Sequence, residues 1–140
     1  MDNVNKTKRS ENMRRIKSKN TKCELLFRKE IYRIGYRYRI HYKHLPGKPD
    51  IYLSKYKIAI FIHGCFWHLH EGCSRGNLPK TNTDYWLPKL AKNKENDEKN
   101  IKKLNELGIR VFIVWECEMS QIDSVIQRFK DFIQSQELLN

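Results

Sequence analysis

Hydrophobic positions along the chain fall into blocks whose period changes, and each change marks an element. Cys23, Phe27, Ile31 and Ile34 recur at helical spacing, with Thr21 and Glu24 forming a capping box before them and Gly35 a stop after them. Residues 36–42 alternate apolar and polar as a strand does. The loop Leu45, Pro46, Gly47, Lys48, Pro49 interrupts that run, and residues 50–53 resume an extended pattern. Within residues 57–63 the unbroken stretch Ile58, Ala59, Ile60, Phe61, Ile62 reads as a strand buried on both faces. Residues 64–82 lose all periodicity and are dense in Cys, His and Gly, and a loop of that length usually carries function. Helical spacing returns over residues 83–107, where Leu90, Asn93, Asp97, Ile101 and Leu104 share one face and Gly108 follows. Residues 109–115 read as a second buried strand, and Ile122, Val125, Ile126, Phe129 and Ile133 as a terminal amphipathic helix.

The resulting order is αβββαβα. Short turns favour antiparallel neighbours, whereas a helix crossing between two buried strands implies a parallel pair. The expected fold class is therefore α/β, a mixed β-sheet flanked by helices. Parallel pairing would bring the strand ends near His63 and Trp115 together, so Cys65 and Cys117, which follow those strands, would share one neighbourhood. On the first helix, Cys23 reads as a small core residue.

Composition adds the partner. The 140 residues suit one domain, 1–140, and carry 28 Lys and Arg against 16 Asp and Glu, a formal net charge of +12. Such an excess attracts a polyanion, nucleic acid first. Residues 1–22 hold eight basic and two acidic side chains and little apolar content beyond Met13 and Ile16. Residues 1–20 thus read as a basic arm that contacts DNA. No apolar run is long enough for a membrane span and the start is not signal-like, so the expected setting is cytoplasmic, with no membrane partner. In a reducing compartment, cysteines serve metal ligation more often than disulfides.

Three constellations carry chemistry. Cys65, His70, Cys73 and Cys117 supply four soft or borderline donors, which suits a closed, structural Zn²⁺; the competing reading is scattered buried thiols. Asp50, after a proline turn, with His63 and His68 across the next hairpin, suits a hydrated Mg²⁺ anchored by one carboxylate, with imidazoles able to take a proton or steady a phosphate. Asp97 on an inward face needs a partner, either a histidine that it would orient or a Lys or Arg. Glu24 is explained by its capping position alone. Phe66, Trp67 and Trp86 lie off any core period beside basic residues, as stacking on bases requires.

These residues stand in stretches that identify a family. Arg9 to Arg14, Leu45 to Asp50, Phe61 to His68, Leu78 to Leu87, Asn93 to Asp97 and Val114 to Cys117 resemble the very short patch repair (Vsr) mismatch endonucleases, over nearly the whole chain. The run from His63 to His68 is the most specific. The resemblance implies a restriction-endonuclease-like core, a structural zinc, and a Mg²⁺-dependent nick 5′ to the thymine of a T·G mismatch, the lesion left when 5-methylcytosine deaminates. It implies Asp50 and the backbone carbonyl of Ile62 as Mg²⁺ ligands, His68 as general base supported by Asp97, His63 on the scissile phosphate and a contribution from Glu24. Ile62 stands where some members carry Thr, which matters little if only the carbonyl binds. Phe66, Trp67 and Trp86, with Met13 of the arm, would wedge into the duplex. The implied partners are double-stranded DNA with a T·G mismatch, a cytosine-5 methyltransferase and downstream repair proteins, with the enzyme acting as a monomer. Two rival classes are a restriction-type endonuclease cutting matched sites and a catalytically silent, zinc-stabilised DNA-binding module.

Overall fold

A computed structural model describes residues 21–68, 70, 72–73 and 81–139. The basic arm, with Met13, and residues 78–80 of the stretch from Leu78 to Leu87 lie outside the described residues. Helix α1, Lys22–Arg33, begins where the Thr21 hydroxyl accepts from the Glu24 backbone N–H at 3.2 Å and ends before Gly35. Strands β1, Arg39–Ile40, β2, Ile51–Leu53, and β3, Ile58–His63, follow; then come α2, Thr83–Glu106, β4, Arg110–Trp115, a 3₁₀ turn, Glu116–Gln121, and α3, Ile122–Leu139. The predicted order of helices and strands is the observed one. The short 3₁₀ turn was not predicted.

The sheet runs β1-β2-β3-β4. β1 pairs antiparallel with β2, β2 antiparallel with β3, and β3 parallel with β4, with His63 opposite Trp115 at the end of the last ladder. The sheet is therefore mixed. Alternation along β3 sends Ile58 and Ile60 into one core cluster with Phe27 and Ile31 of α1 and Val125, Phe129 and Ile133 of α3. Ala59 and Phe61 face a second cluster with Leu104 of α2 and Ile109. Two helices thus cover one face and α2 the other, and β3 is buried on both faces because both are covered.

Two sequence expectations shift. The strand expected over residues 36–42 shrinks to Arg39–Ile40. Tyr36 leaves the sheet to pack edge-on against Phe129 at 5.2 Å, and His41 takes φ +48, a left-handed conformation that ends an extended run. Cys23 is half-buried at the rim of a cleft instead of in the core, because the apolar stripe of α1 reaches the core only from Phe27 onward. Among the described residues no helix is long and apolar enough to cross a membrane.

Candidate active site

Where β3 ends, a cleft of about 650 Å³ opens between the sheet, the loop before β2 and the inward face of α2. Its walls include Asp50, Ile62, His63, His68 and Asp97, together with Lys48, Asn100 and Glu116. The loop is held against α2 by close approach. Gly47 adopts φ +76, and a Cβ there would lie 3.0 Å from the Asn100 Cβ, so glycine alone lets this loop seat. The seating fixes Asp50, whose Oδ2 accepts from the Ile62 backbone N–H at 2.8 Å. Asp50 and the Ile62 backbone are therefore neighbours.

Burial pushes the Asp50 carboxyl up to about 6, against the Ile62 hydrogen bond and with the adjacent Glu24 carboxyl adding to the rise. Glu24 is not merely a cap. Its backbone N–H serves Thr21, but its carboxylate is 2% exposed and lies 3.1 and 3.2 Å, oxygen by oxygen, from Nε2 of His41. His41 was not among the residues singled out from the sequence. Two acidic side chains packed side by side, Glu24 buried and Asp50 half-buried at the cleft wall, are a donor set suited to a hard divalent cation such as Mg²⁺.

Across the cleft, Asp97 meets a histidine and not a cation: its Oδ2 lies 2.5 Å from Nδ1 of His68. The His68 ring stacks on His63, centroids 3.8 Å apart. His63 is 6% exposed, and burial first, then the His68 charge, pulls its pKa down to about 4, with Asp97 opposing. Its Nδ1 is buried with no hydrogen-bond partner among the described residues, a deficit worth about 1–3 kcal/mol of the kind a substrate group makes good. One donor atom each from His63, His68 and Asp97 falls within 4.8 Å of the others. Imidazole lone pairs lie in the ring plane, however, so two rings stacked face to face do not converge on an ion, and the trio is better suited to moving a proton.

A second cluster lies behind the first. Donor atoms of Cys65, His70, Cys73 and Cys117 all lie within 4.8 Å of one another, with Cys117 Sγ 3.5 Å from His70 Nδ1. Tetrahedral zinc with thiolate ligands needs donors roughly 3.8 Å apart, so the group could hold that ion. Burial pushes the Cys117 thiol up to about 12, helped by the neighbouring Cys65 and Cys73, and burial also raises Cys65. Thiolates crowded this way require a cation to be stable. Trp115 connects the two clusters, stacked on His70 at 4.0 Å and edge-on to His63 at 5.2 Å. Its placement follows from the parallel register that sets it opposite His63.

Phe66, Trp67 and Trp86 converge on one another, with ring centroids 5.2, 5.2 and 5.8 Å apart, all edge to face, and Trp67 lines the cleft. Each is half-buried, and Lys89 Nζ lies 5.5 Å from the Trp67 ring and 5.9 Å from Trp86. They pack on one another, a feature that their placement off the core period does not reveal. Asn93 Nδ2 donates to the Trp67 carbonyl at 3.1 Å, which ties the aromatic group to α2.

Residues 1–75 match the family described as DNA mismatch endonuclease Vsr. The chain is 46% identical over 134 residues to a Neisseria meningitidis serogroup A protein named type II nicking enzyme V.NmeAIP, covering 91% of this chain and 95% of that one. It is 43% identical over 114 residues to the DNA mismatch endonuclease Vsr of Escherichia coli, covering 81% of this chain and 72% of that one. Type II nicking enzyme V.XorIIP of Xanthomonas oryzae pv. oryzae is 40% identical over 132 residues, covering 94% and 96%. A match over more than half of the chain, with such identities over most of its length, settles the question of kinship: the chain is a DNA endonuclease and belongs to the Vsr family of DNA mismatch endonucleases.

Proposed function

We propose that this enzyme makes a Mg²⁺-dependent nick in one strand of duplex DNA, 5′ to the thymine of a T·G mismatch of the kind 5-methylcytosine deamination leaves. The carrying observation is that the Asp50–Ile62 pair and the His68–Asp97 pair face each other across one cleft. Mismatch recognition draws support from a relative named DNA mismatch endonuclease, and single-strand action from relatives named nicking enzymes.

In this reading the fold is restriction-endonuclease-like and residues 1–140 form one domain whose arm, 1–20, contributes Met13 to the duplex. Asp50 and the Ile62 carbonyl hold Mg²⁺, with Glu24 beside them. When bound there, Mg²⁺ would supply Lewis-acid stabilisation of the charge that develops on the phosphate oxygens. Asp97 holds the Nδ1–H of His68, which leaves Nε2 to accept a proton from the attacking water. His63, kept neutral by burial, offers the phosphate a hydrogen bond without adding a charge next to His68. Cys65, His70, Cys73 and Cys117 hold a structural Zn²⁺ that fixes the loop carrying His68. Phe66, Trp67 and Trp86 wedge beside the mismatch, where opening a base step costs less than in matched DNA. The setting is the bacterial cytoplasm, the enzyme acts as a monomer, and its work is coupled to a cytosine-5 methyltransferase and to downstream repair proteins.

Mapping the cut on duplexes labelled in each strand tests this reading. A single product ending 5′ to the mismatched thymine is expected, and cleavage of both strands, or of the guanine strand, contradicts it.

A further inference from the structure

His41 sits beside the carboxylates of Glu24 and Asp50 without belonging to the motifs around them. Its backbone N–H donates to the Asp50 carbonyl at 3.0 Å, extending the β1–β2 ladder one residue past Ile40 and Ile51. Its side chain reaches the other way, Nε2 lying 3.1 and 3.2 Å from the two oxygens of Glu24. His41 does this at a backbone φ of +48, a left-handed conformation uncommon outside glycine, although histidine is, with asparagine and aspartate, among the residues that enter it more often. One residue thus grips β2 beside Asp50 and the carboxylate projecting from α1.

We propose that His41 is a positioning residue: its Nε2–H holds the Glu24 carboxylate beside Asp50, so that the two act as one divalent-cation site instead of two carboxylates that repel each other apart. The inference rests on the reading of Asp50 and Glu24 as the cation site. Partners that orient metal-binding carboxylates typically contribute about 10–100-fold to metal affinity. Asparagine tolerates the left-handed backbone better than histidine does, but its amide falls short of Glu24; glutamine places an N–H near the position of Nε2. The two substitutions therefore separate the turn from the donor.

The test is Mn²⁺ binding to the full-length, zinc-loaded chain without DNA, read by calorimetry or paramagnetic resonance, for the parent, His41→Asn, His41→Gln and Asp50→Ala. The Asn variant should melt with the parent, bind Mn²⁺ at least about tenfold more weakly, and need correspondingly more Mg²⁺ for half-maximal nicking. The Gln variant should return both quantities close to the parent. Parent-like Mn²⁺ affinity in the Asn variant, or a Gln variant as weak as Asn, overturns the role of His41. Parent-like affinity in Asp50→Ala would instead overturn the cation site on which it rests.

Discussion

The imidazoles of His63 and His68 lie face to face, with centroids 3.8 Å apart and planes 5° from parallel. Two imidazolium charges at that distance would repel strongly, which adds to burial in keeping His63 neutral. His68 has Asp97 at 2.5 Å, whereas His63 is enclosed and held neutral. The base and the group beside it are thereby given different jobs.

This arrangement predicts a pH signature in stability. The His63 pKa falls from 6.5 to about 4 on folding, so the unfolded chain binds the extra proton between those values. Its contribution is complete above pH 6.5 and is lost as the pH falls toward 4, a difference on the order of 3 kcal/mol. Denaturant unfolding of the parent and His63→Gln at several pH values should show the gap between them narrowing from pH 7 to 4. A gap independent of pH would contradict the buried, neutral His63.

In the proposed mechanism Asp97 acts on the reaction through His68, the side chain it contacts. Asp97→Asn should slow single-turnover nicking by less than His68→Ala does, because an amide still contacts Nδ1 but stabilises the wrong tautomer in part. Mismatch binding should survive in both. Equal losses would mean that Asp97 does more than orient the base.

The order of elements was legible in the sequence because period is a property of packing, and each element here packs on a face of its own. Strand β3 announced itself through five consecutive apolar residues, and its burial on both sides follows from helices covering both faces. The length of β1 was not legible. Tyr36 and Tyr38 alternate with arginines as strand residues do, but Tyr36 is spent on Phe129 and His41 turns into a left-handed conformation that no local pattern announces. The same blindness hid His41 from the site. The 3₁₀ turn after β4 depends on Glu118 closing back on the Trp115 N–H at 3.0 Å, a contact between residues that read simply as polar. Glu24 shows the opposite hazard, since a sufficient local explanation, the helix cap, concealed a buried carboxylate held by His41 beside Asp50.

The cysteine cluster predicts about one tightly held zinc per chain. Cys65→Ser and Cys117→Ser should each lose the ion and melt at lower temperature, and metal analysis alongside thermal melting checks both. Zinc-free protein whose serine variants are as stable as the parent would remove the assignment.

Aromatic packing around Trp67 predicts a change in selectivity and not only in stability. Trp67→Ala and Trp86→Ala should lower the ratio of T·G to T·A cleavage while zinc content is unchanged. Phe66 and the other tryptophan lie within 5.2–5.8 Å of each truncated ring, so some thermal stability will be lost as well. The ratio is therefore measured where all forms remain folded, and an unchanged value would make these rings loop packing only.

Most direct of all is a nicking assay on T·G, T·A and C·G duplexes of one sequence, with Mg²⁺ or EDTA, for the parent and Asp50→Ala. The parent should cut only T·G, only the thymine strand and only with Mg²⁺, while Asp50→Ala binds the T·G duplex and leaves it whole. Comparable cleavage of matched duplexes would place the enzyme with site-specific endonucleases, no cleavage of any duplex with Mg²⁺ would mark a silent binding module, and cleavage by Asp50→Ala, or by the parent in EDTA, would contradict the Mg²⁺ site itself.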